Sequence, residues 1–287
     1  MSAGQLAVRR GPGPKTLLHH TRRGLWTIGA WVATLSFVLP ALWAVLTSFH
    51  PEIDAIRNPP SVTAPLTVAH YAELLTGDLV GPMINSLTAA MVSTVAVLVL
   101  AIPAAYALSV KPVPKWRDVM FFFLSTKMMP AVAGLLPMYL IIKSLGGLDN
   151  VWVLAILYLA ANLPLGIWML RSFLGEIPRE LMEAAALDGA GLITMIRRVI
   201  LPLTYPGIAA TALISFIFAW NEFLFALNLT ATRAYTSPVY LIGFLSGQRL
   251  FLAHLCAASC LVSLPVLIAG YAAQDKLVQG LSLGAVK

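Results

Sequence analysis

The chain has 287 residues, 59% of them hydrophobic and only 11% charged, with a mean hydropathy of +0.83. A soluble domain carries about 25% charged residues, so the polar surface needed to cover a water-soluble globule is missing and the chain is expected to lie in a membrane. The net charge of +7 does not argue for nucleic acid, because the Arg and Lys residues fall between apolar runs and not on one basic face.

Residues 1–24 combine Gly11-Pro12-Gly13-Pro14 with Arg9, Arg10, Lys15, Arg22 and Arg23, which predicts a flexible tail ahead of a membrane domain over residues 25–287. The first apolar run, Leu25–Ser48, is about 24 residues, enough to span a bilayer with some tilt. It exceeds the ~7–15-residue core of a signal peptide and reads as a retained anchor. Further spans are expected at Pro82–Val110, Val119–Ile142, Val151–Leu170, Leu203–Leu229 and Phe251–Ala273. The fold class is therefore all-α integral membrane with six transmembrane helices.

With the N-terminus in the cytoplasm, the inside segments hold Arg9, Arg10, Lys15, Arg22, Arg23, Lys111, Lys115, Arg117, Arg171, Arg179, Arg197, Arg198, Lys276 and Lys287. The outside segments hold Arg57, Lys143, Arg233 and Arg249. Fourteen against four satisfies the positive-inside rule and puts both termini inside. The outside loop Phe49–Gly81 carries Glu52, Asp54, Glu73 and Asp78, is broken by Pro59-Pro60 and Pro65, and has a short interfacial helix expected over Leu66–Leu75. A second outside loop runs from Thr230 to Leu250. Inside, Lys111–Asp118 is a short turn, whereas Arg171–Pro202 is about thirty residues of mixed character.

That inner loop reads as two short helices around a tight turn. Pro178 suits a first helical turn, Glu180 and Glu183 complement the helix N-terminus, and Leu181–Leu187 has high helix propensity. Asp188-Gly189 supplies the stop, with Gly189 free to turn left-handed. A second helix is expected over Ala190–Val199 with Arg197 and Arg198 at its C-terminal end, and Pro202 is expected to open the next span. Small alanines suit close approach to a partner's groove; an amphipathic helix lying on the membrane surface fits the same residues.

Within the spans, ionisable residues are costly unless paired or hydrated, so Lys127 and Glu222 are functional candidates. Both could line a hydrated path, bind substrate hydroxyls or bind each other; both could also hold the bundle together by hydrogen bonds. Asn162 beside Pro164 is a further path candidate. Prolines 40, 103, 130, 137, 164 and 265 predict kinked helices. Cys256 and Cys260, four apart on one face, are poorly placed to bridge. His254 has no acidic neighbour in sequence and reads as a packing histidine.

Glu183-Ala184-Ala185, then Gly189, then Leu201-Pro202 resembles the EAA loop of bacterial ABC-importer permeases, which lies between the fourth and fifth helices as here; Val199 stands where that pattern has Ile. Asn85-Ser86-Leu87, Ala104-Ala105-Tyr106-Ala107, Trp220-Asn221-Glu222-Phe223 and the terminal Gly280-Leu281-Ser282-Leu283-Gly284-Ala285-Val286-Lys287 are similar to the maltose-type carbohydrate permeases, the last to the MalG-type member of each pair. Ser125-Thr126-Lys127-Met128-Met129-Pro130 looks like the polyol-transporting branch.

The resemblance implies a type I importer permease fold in the bacterial cytoplasmic membrane and import of a sugar or polyol. Its implied partners are a second homologous permease, two ATPase subunits, an extracytoplasmic solute-binding protein and membrane lipid. It assigns Glu183, Ala184, Ala185, Asp188, Gly189, Leu201 and Pro202 to a coupling loop at residues 171–202. Lys127, Asn162, Trp220, Asn221 and Glu222 are candidates for the substrate path. The chain has no G-x-x-x-x-G-K-[ST] phosphate loop, so ATP and Mg are expected on the partner and no cofactor, metal or catalytic residue on this chain. Two rivals stand: a permease for a non-carbohydrate solute, and an ion-coupled secondary transporter, which would need paired mid-membrane carboxylates.

Overall fold

The computed structural model describes residues 14–57, 62–110, 113–245 and 251–285. Among them the chain is helical, without strands. The elements are α1 (Pro14–Thr47), α2 (Glu52–Ala55), α3 (Ala69–Thr76), α4 (Val80–Ser109), α5 (Trp116–Met128), α6 (Ala131–Ser144) and α7 (Val151–Leu174). There follow α8 (Arg179–Leu187), α9 (Leu192–Thr194), a π-helical stretch (Met195–Ile200), α10 (Leu201–Leu203), α11 (Tyr205–Trp220), α12 (Leu224–Leu229), α13 (Ser237–Ile242) and α14 (Leu252–Ala285).

Four helices are individually long and apolar enough to cross a membrane: Trp26–Thr47, Val80–Ser109, Val151–Leu174 and Leu252–Gln274. Two broken pairs bring the number to the expected six if each is counted as one span. The pair α5–α6 bends by 88°, and the pair Leu192–Leu203 with Tyr205–Trp220 by 83°. The spans expected at Val119–Ile142, with kinks at Pro130 and Pro137, and at Leu203–Leu229 are thus corrected to sharply broken ones. At the first break Met129 precedes a proline and is extended (φ −72°, ψ 129°), because the proline ring disfavours helical backbone before it. At the second, Pro206 has no N–H to give and its ring would clash with the carbonyl four residues earlier. Thr204 leaves the helix there at φ −98°, ψ 9°, its Oγ1 donating to the Ile200 carbonyl at 2.7 Å. The fifth span ends at Trp220, and α12 starts afresh.

Helix α1 reaches back to Pro14, so residues 14–24, expected as tail, are helical. The rest of that tail, Pro59-Pro60, the Lys111-Pro112 turn, the end of the second outer loop at 246–250 and the terminal Val286-Lys287 lie outside the described residues. The expected interfacial helix is present as α3.

The bundle is centred on α4 and α7, with α11 packed on both and α14 packed on α11. Its seam is made of small residues: Ser86, Ala89, Ala90, Ser93, Ala101 and Ala105 of α4 are all buried. Lipid tails are as apolar as leucine, so close backbone approach and dispersion must hold such helices together. Gly166 of α7 shows how tight the seam is, since a Cβ there would lie 2.7 Å from Val97 Cγ1. One core, including Leu154, Tyr158, Trp220 and Ala257, fills the half near α3 and α12; a second, including Ile167, Leu170, Met182 and Ile200, fills the half near α8. The apolar window of α1 buries none of its residues within the chain; its main packing partner is α14.

Candidate functional site

Helix α8 projects from the end of α7 and presents the residues picked out in the sequence. Met182 is buried and Ala185 half-buried on its inner face, packed in the core that holds Leu174, Ile177 and Met195. Glu183, Ala184 and Ala186 are exposed, and Leu187 is 89% exposed. The helix ends in a Schellman arrangement: the Ala190 N–H donates to the Ala185 carbonyl at 3.0 Å and the Gly189 N–H to the Ala186 carbonyl at 3.1 Å. Gly189 has φ +79°, the left-handed turn expected of it, which a side chain would strain. Asp188 is the C-cap.

The return path differs from expectation. The helix predicted over Ala190–Val199 starts as α9 at Leu192, widens into π-helix over Met195–Ile200 and runs on through Leu201 and Pro202 to Leu203. Pro202 therefore closes the loop, and Pro206 opens the next span. Leu201 is half-buried and Pro202 exposed. A cavity of about 390 Å³ lies under α8, lined in part by Tyr106, Leu174, Met182, Glu183 and Met195. Beside it Gly207 of α11 lies against Phe173 of α7, so close that a Cβ would stand 2.3 Å from Phe173 Cγ. Arg171 clamps the same end: its guanidinium sits 3.9 Å from the Trp116 ring centroid and its Nε donates to the Leu108 carbonyl at 3.4 Å. These contacts tie α7 to α4, α5 and α11, while α8 itself packs on the π-helical stretch that follows it.

The path candidates do not converge. Asn162 and Trp220 are buried inside this chain, and the Trp220 indole N–H donates to the Val262 carbonyl of α14 at 3.2 Å. Asn221 is exposed and donates back to the Ile217 carbonyl at 2.9 Å. Glu222 caps α12: its carboxylate accepts from the Phe225 N–H at 2.8 Å and the Ala226 N–H at 3.3 Å. Lys127 lies in the last turn of α5, directly before the bend, with Nζ 5.9 Å from the centre of the half-exposed Phe218 ring. Lys127 and Glu222 form no ion pair with each other. Of the five path candidates, Lys127 and Asn221 are the exposed ones.

Two polar clusters at the opposite end were missed in the sequence. Asp149, left-handed at φ +55°, accepts from the backbone N–H groups of Ala231, Thr232, Arg233 and Ala234 and from the Thr232 hydroxyl. Burial would raise its pKa, but these four N–H donors outweigh that and hold the carboxyl far below its ordinary value. From the other side, the Asn85 amide donates to the Arg233 and Tyr235 carbonyls at 2.8 and 3.0 Å, and the Ser237 N–H donates to Ser86 Oγ at 2.8 Å. The Asn85-Ser86 pair was the one sequence signal for this clamp.

The second cluster corrects the reading of His254. Its Nδ1 is 3.3 Å from Glu52 Oε2, and its Nε2 is 2.7 Å from Glu73 Oε2 and 3.3 Å from His70 Nδ1. These neighbours lie some two hundred residues away in sequence and come from α2 and α3, so no local pattern announces them. Cys256 and Cys260 are free thiols, as expected from their spacing.

Residues 74–282 match the family described as binding-protein-dependent transport system inner membrane component. The chain is 36% identical over 270 residues to a probable ABC transporter permease, y4oR, of Sinorhizobium fredii, covering 93% of this chain and 96% of that one. It is 34% identical over 255 residues to the trehalose transport system permease SugB of Mycobacterium tuberculosis, covering 87% and 92%. In fold it resembles a chain of a bacterial ABC transporter involved in import of the acidic polysaccharide alginate, with TM-score 0.72, 22% identity and coverage of 96% and 99%. The six-span helical bundle and the α8 loop are those of a permease subunit, and the chain belongs to the family of inner-membrane components of binding-protein-dependent ABC transport systems.

Proposed function

We propose that this chain is the sugar- or polyol-importing member of that family, pairing with a second, homologous permease, two ATPase subunits and an extracytoplasmic solute-binding protein. The observation that carries the reading is α8, a rigid peg with an exposed alanine face, one fully exposed leucine and a Schellman turn. ATP and Mg act on the partner ATPase, whose groove takes Glu183, Ala184, Ala185 and Leu187. The turn at Asp188-Gly189 passes the push through Leu201-Pro202 into α11. Both termini and α8 lie in the cytoplasm, in keeping with the fourteen-to-four distribution of basic residues. The carbohydrate assignment draws its support from the trehalose permease among its relatives.

Of the path candidates, Lys127 and Asn221 face away from this chain's own core, toward the second permease, and are the residues that meet substrate. Asn162, Trp220 and Glu222 hold the bundle in shape. Glu183→Lys and Gly189→Asp are expected to insert normally yet lose uptake and co-purification of the ATPase; full uptake by either removes the coupling role. Lys127→Met is expected to change substrate affinity or range, and unaltered transport ends the substrate-contact assignment. Uptake across a panel of sugars and polyols in a deletion strain names the substrate. Uptake of a non-carbohydrate solute alone overturns the carbohydrate reading.

A further inference from the structure

At the end of the bundle remote from α8, four side chains from three elements meet. Glu52, His70 and His254 each bring a ligand atom within 4.8 Å of the others, and Glu73 Oε2 touches His254 Nε2 at 2.7 Å. His70 is 7% exposed, and the His254 side chain 21%. Phe244 and Phe251 pack against the His254 ring at centroid distances of 6.2 and 6.0 Å.

The hydrogen bonds fix the tautomer of His70 and leave His254 flanked by two carboxylates. His70 Nε2 lies 3.0 Å from the His50 carbonyl, which can only accept, so this nitrogen carries the proton and Nδ1 does not. On His254 the shorter contact is from Nε2 to Glu73 Oε2 at 2.7 Å, with Nδ1 3.3 Å from Glu52 Oε2, so each nitrogen faces a carboxylate and the proton of the neutral ring is drawn first to Nε2; an ion at Nε2 takes the place of that proton and leaves Nδ1–H to Glu52. Glu52 is itself held, since its two oxygens accept from the backbone N–H groups of Ala253 and His254 at 3.1 and 3.2 Å. His70 Nδ1, bare, and His254 Nε2 face each other at 3.3 Å, and Glu73 Oε2 lies beside the latter.

We propose that His70 Nδ1, His254 Nε2 and Glu73 bind a divalent ion of the zinc class, with Glu52 and the His50 carbonyl as the groups that orient the two imidazoles. A tetrahedral site with Zn–N bonds of ~2.0–2.1 Å has ligand–ligand edges of about 3.3 Å, the separation of the two nitrogens here. A metal-ligating histidine donates its other N–H to a carboxylate or backbone carbonyl, and this pair shows one of each. A single added proton on His254 would serve Glu52 and Glu73 but leave the buried His70 Nδ1 at best a shared bond; an ion serves all three ligands. Glu73 is 65% exposed and free to ease outward from its hydrogen-bond distance. The ion staples the segment between α1 and α4 to the start of α14, on the extracytoplasmic face if the orientation proposed above holds; its binding does not depend on that orientation or on transport.

The test uses the untagged full chain, purified with its partner subunits, stripped with a chelator and titrated with Zn²⁺ and separately with Co²⁺. One equivalent of Zn²⁺ is expected, with the visible absorption of tetrahedral Co²⁺, a raised unfolding midpoint for Zn²⁺ and none for Mg²⁺. His70→Ala and His254→Ala each abolish the Co²⁺ spectrum, and Glu52→Gln weakens Zn²⁺ affinity by about 10–100-fold. A His19→Ala/His20→Ala control keeps both. No bound Zn²⁺ in the unsubstituted protein, or binding that survives His70→Ala and His254→Ala, overturns the site. So does an unfolding midpoint that moves with pH and not with Zn²⁺, the mark of a proton alone.

Discussion

Gly207→Ala is the smallest change that should disconnect α8 from the bundle. The added Cβ would stand 2.3, 2.5 and 2.8 Å from Phe173 Cγ, Cδ2 and Cβ, where ordinary contact begins at 3.4 Å. The ring can swing away about χ1, since Phe173 is half-buried, but its Cβ cannot. A deficit of about 0.6 Å at that atom must be met by parting α7 from α11. Overpacking of this kind costs about 1–3 kcal/mol, and the backbone component puts Gly207→Ala toward the upper end. On the scaling of soluble domains of 150–250 residues, that lowers Tm by roughly 4–10 °C. Thermal unfolding of the purified complex and uptake in cells should both register it, with uptake falling further than stability because the α7–α11 contact lies beside the loop proposed to carry the push.

The reasoning has an internal control. Phe173→Ala removes the two ring atoms nearest the new methyl, so Phe173→Ala/Gly207→Ala should be more stable than the sum of the single losses predicts, an interaction of the relieving sign. If Gly207→Ala unfolds and transports like the unsubstituted protein, or if the double variant is no better than additive, the close approach is not what positions α8.

Asp149→Ala should free the segment 231–234, at a cost of about 1–2 kcal/mol after discounting charge-assisted hydrogen bonds for solvent exposure, seen as faster amide exchange from Ala231 to Ala234. Because the folded-state pKa of Asp149 is depressed, its stabilisation is present above the unfolded value of about 4 and is lost as pH falls through the lower folded value; protection factors in that segment, which already allow for the slower intrinsic exchange at low pH, should fall on acidification in the unsubstituted protein and not in Asp149→Ala. Trp220→Phe removes the bond to the Val262 carbonyl and should cost about 1 kcal/mol in thermal unfolding without changing substrate range. Glu222→Gln keeps a side-chain acceptor for the first turn of α12 and should transport, whereas Glu222→Ala should lose about 1 kcal/mol of capping in the same assay; equal behaviour of the two would remove the capping role.

Local chemistry explains which features the sequence disclosed. The α8 turn was legible because each part acts within a few residues: alanines favour helix, Gly189 admits φ +79°, and carbonyls three to five positions back accept the capping bonds. Span number was legible because bilayer thickness fixes the length of an apolar run. Span shape was not, since Pro130 within an apolar stretch is compatible with a mild kink or a full stop. The 88° turn followed from Met129 taking the extended conformation, with the partial contacts of α5 and α6 leaving room for it. Polar roles were the least legible. Trp220 and Glu222 are two positions apart in sequence, yet one bonds across to α14 and the other caps its own next helix; His254 looks solitary until α2 and α3 fold over it. Hydropathy counts a charge at membrane depth as an unmet cost and so marks it for function. Glu222 shows the cost met by two backbone donors within four residues, whereas the Lys127 ammonium, over Phe218, has no ion pair among the described residues, which is why we propose a partner for it outside this chain's own core.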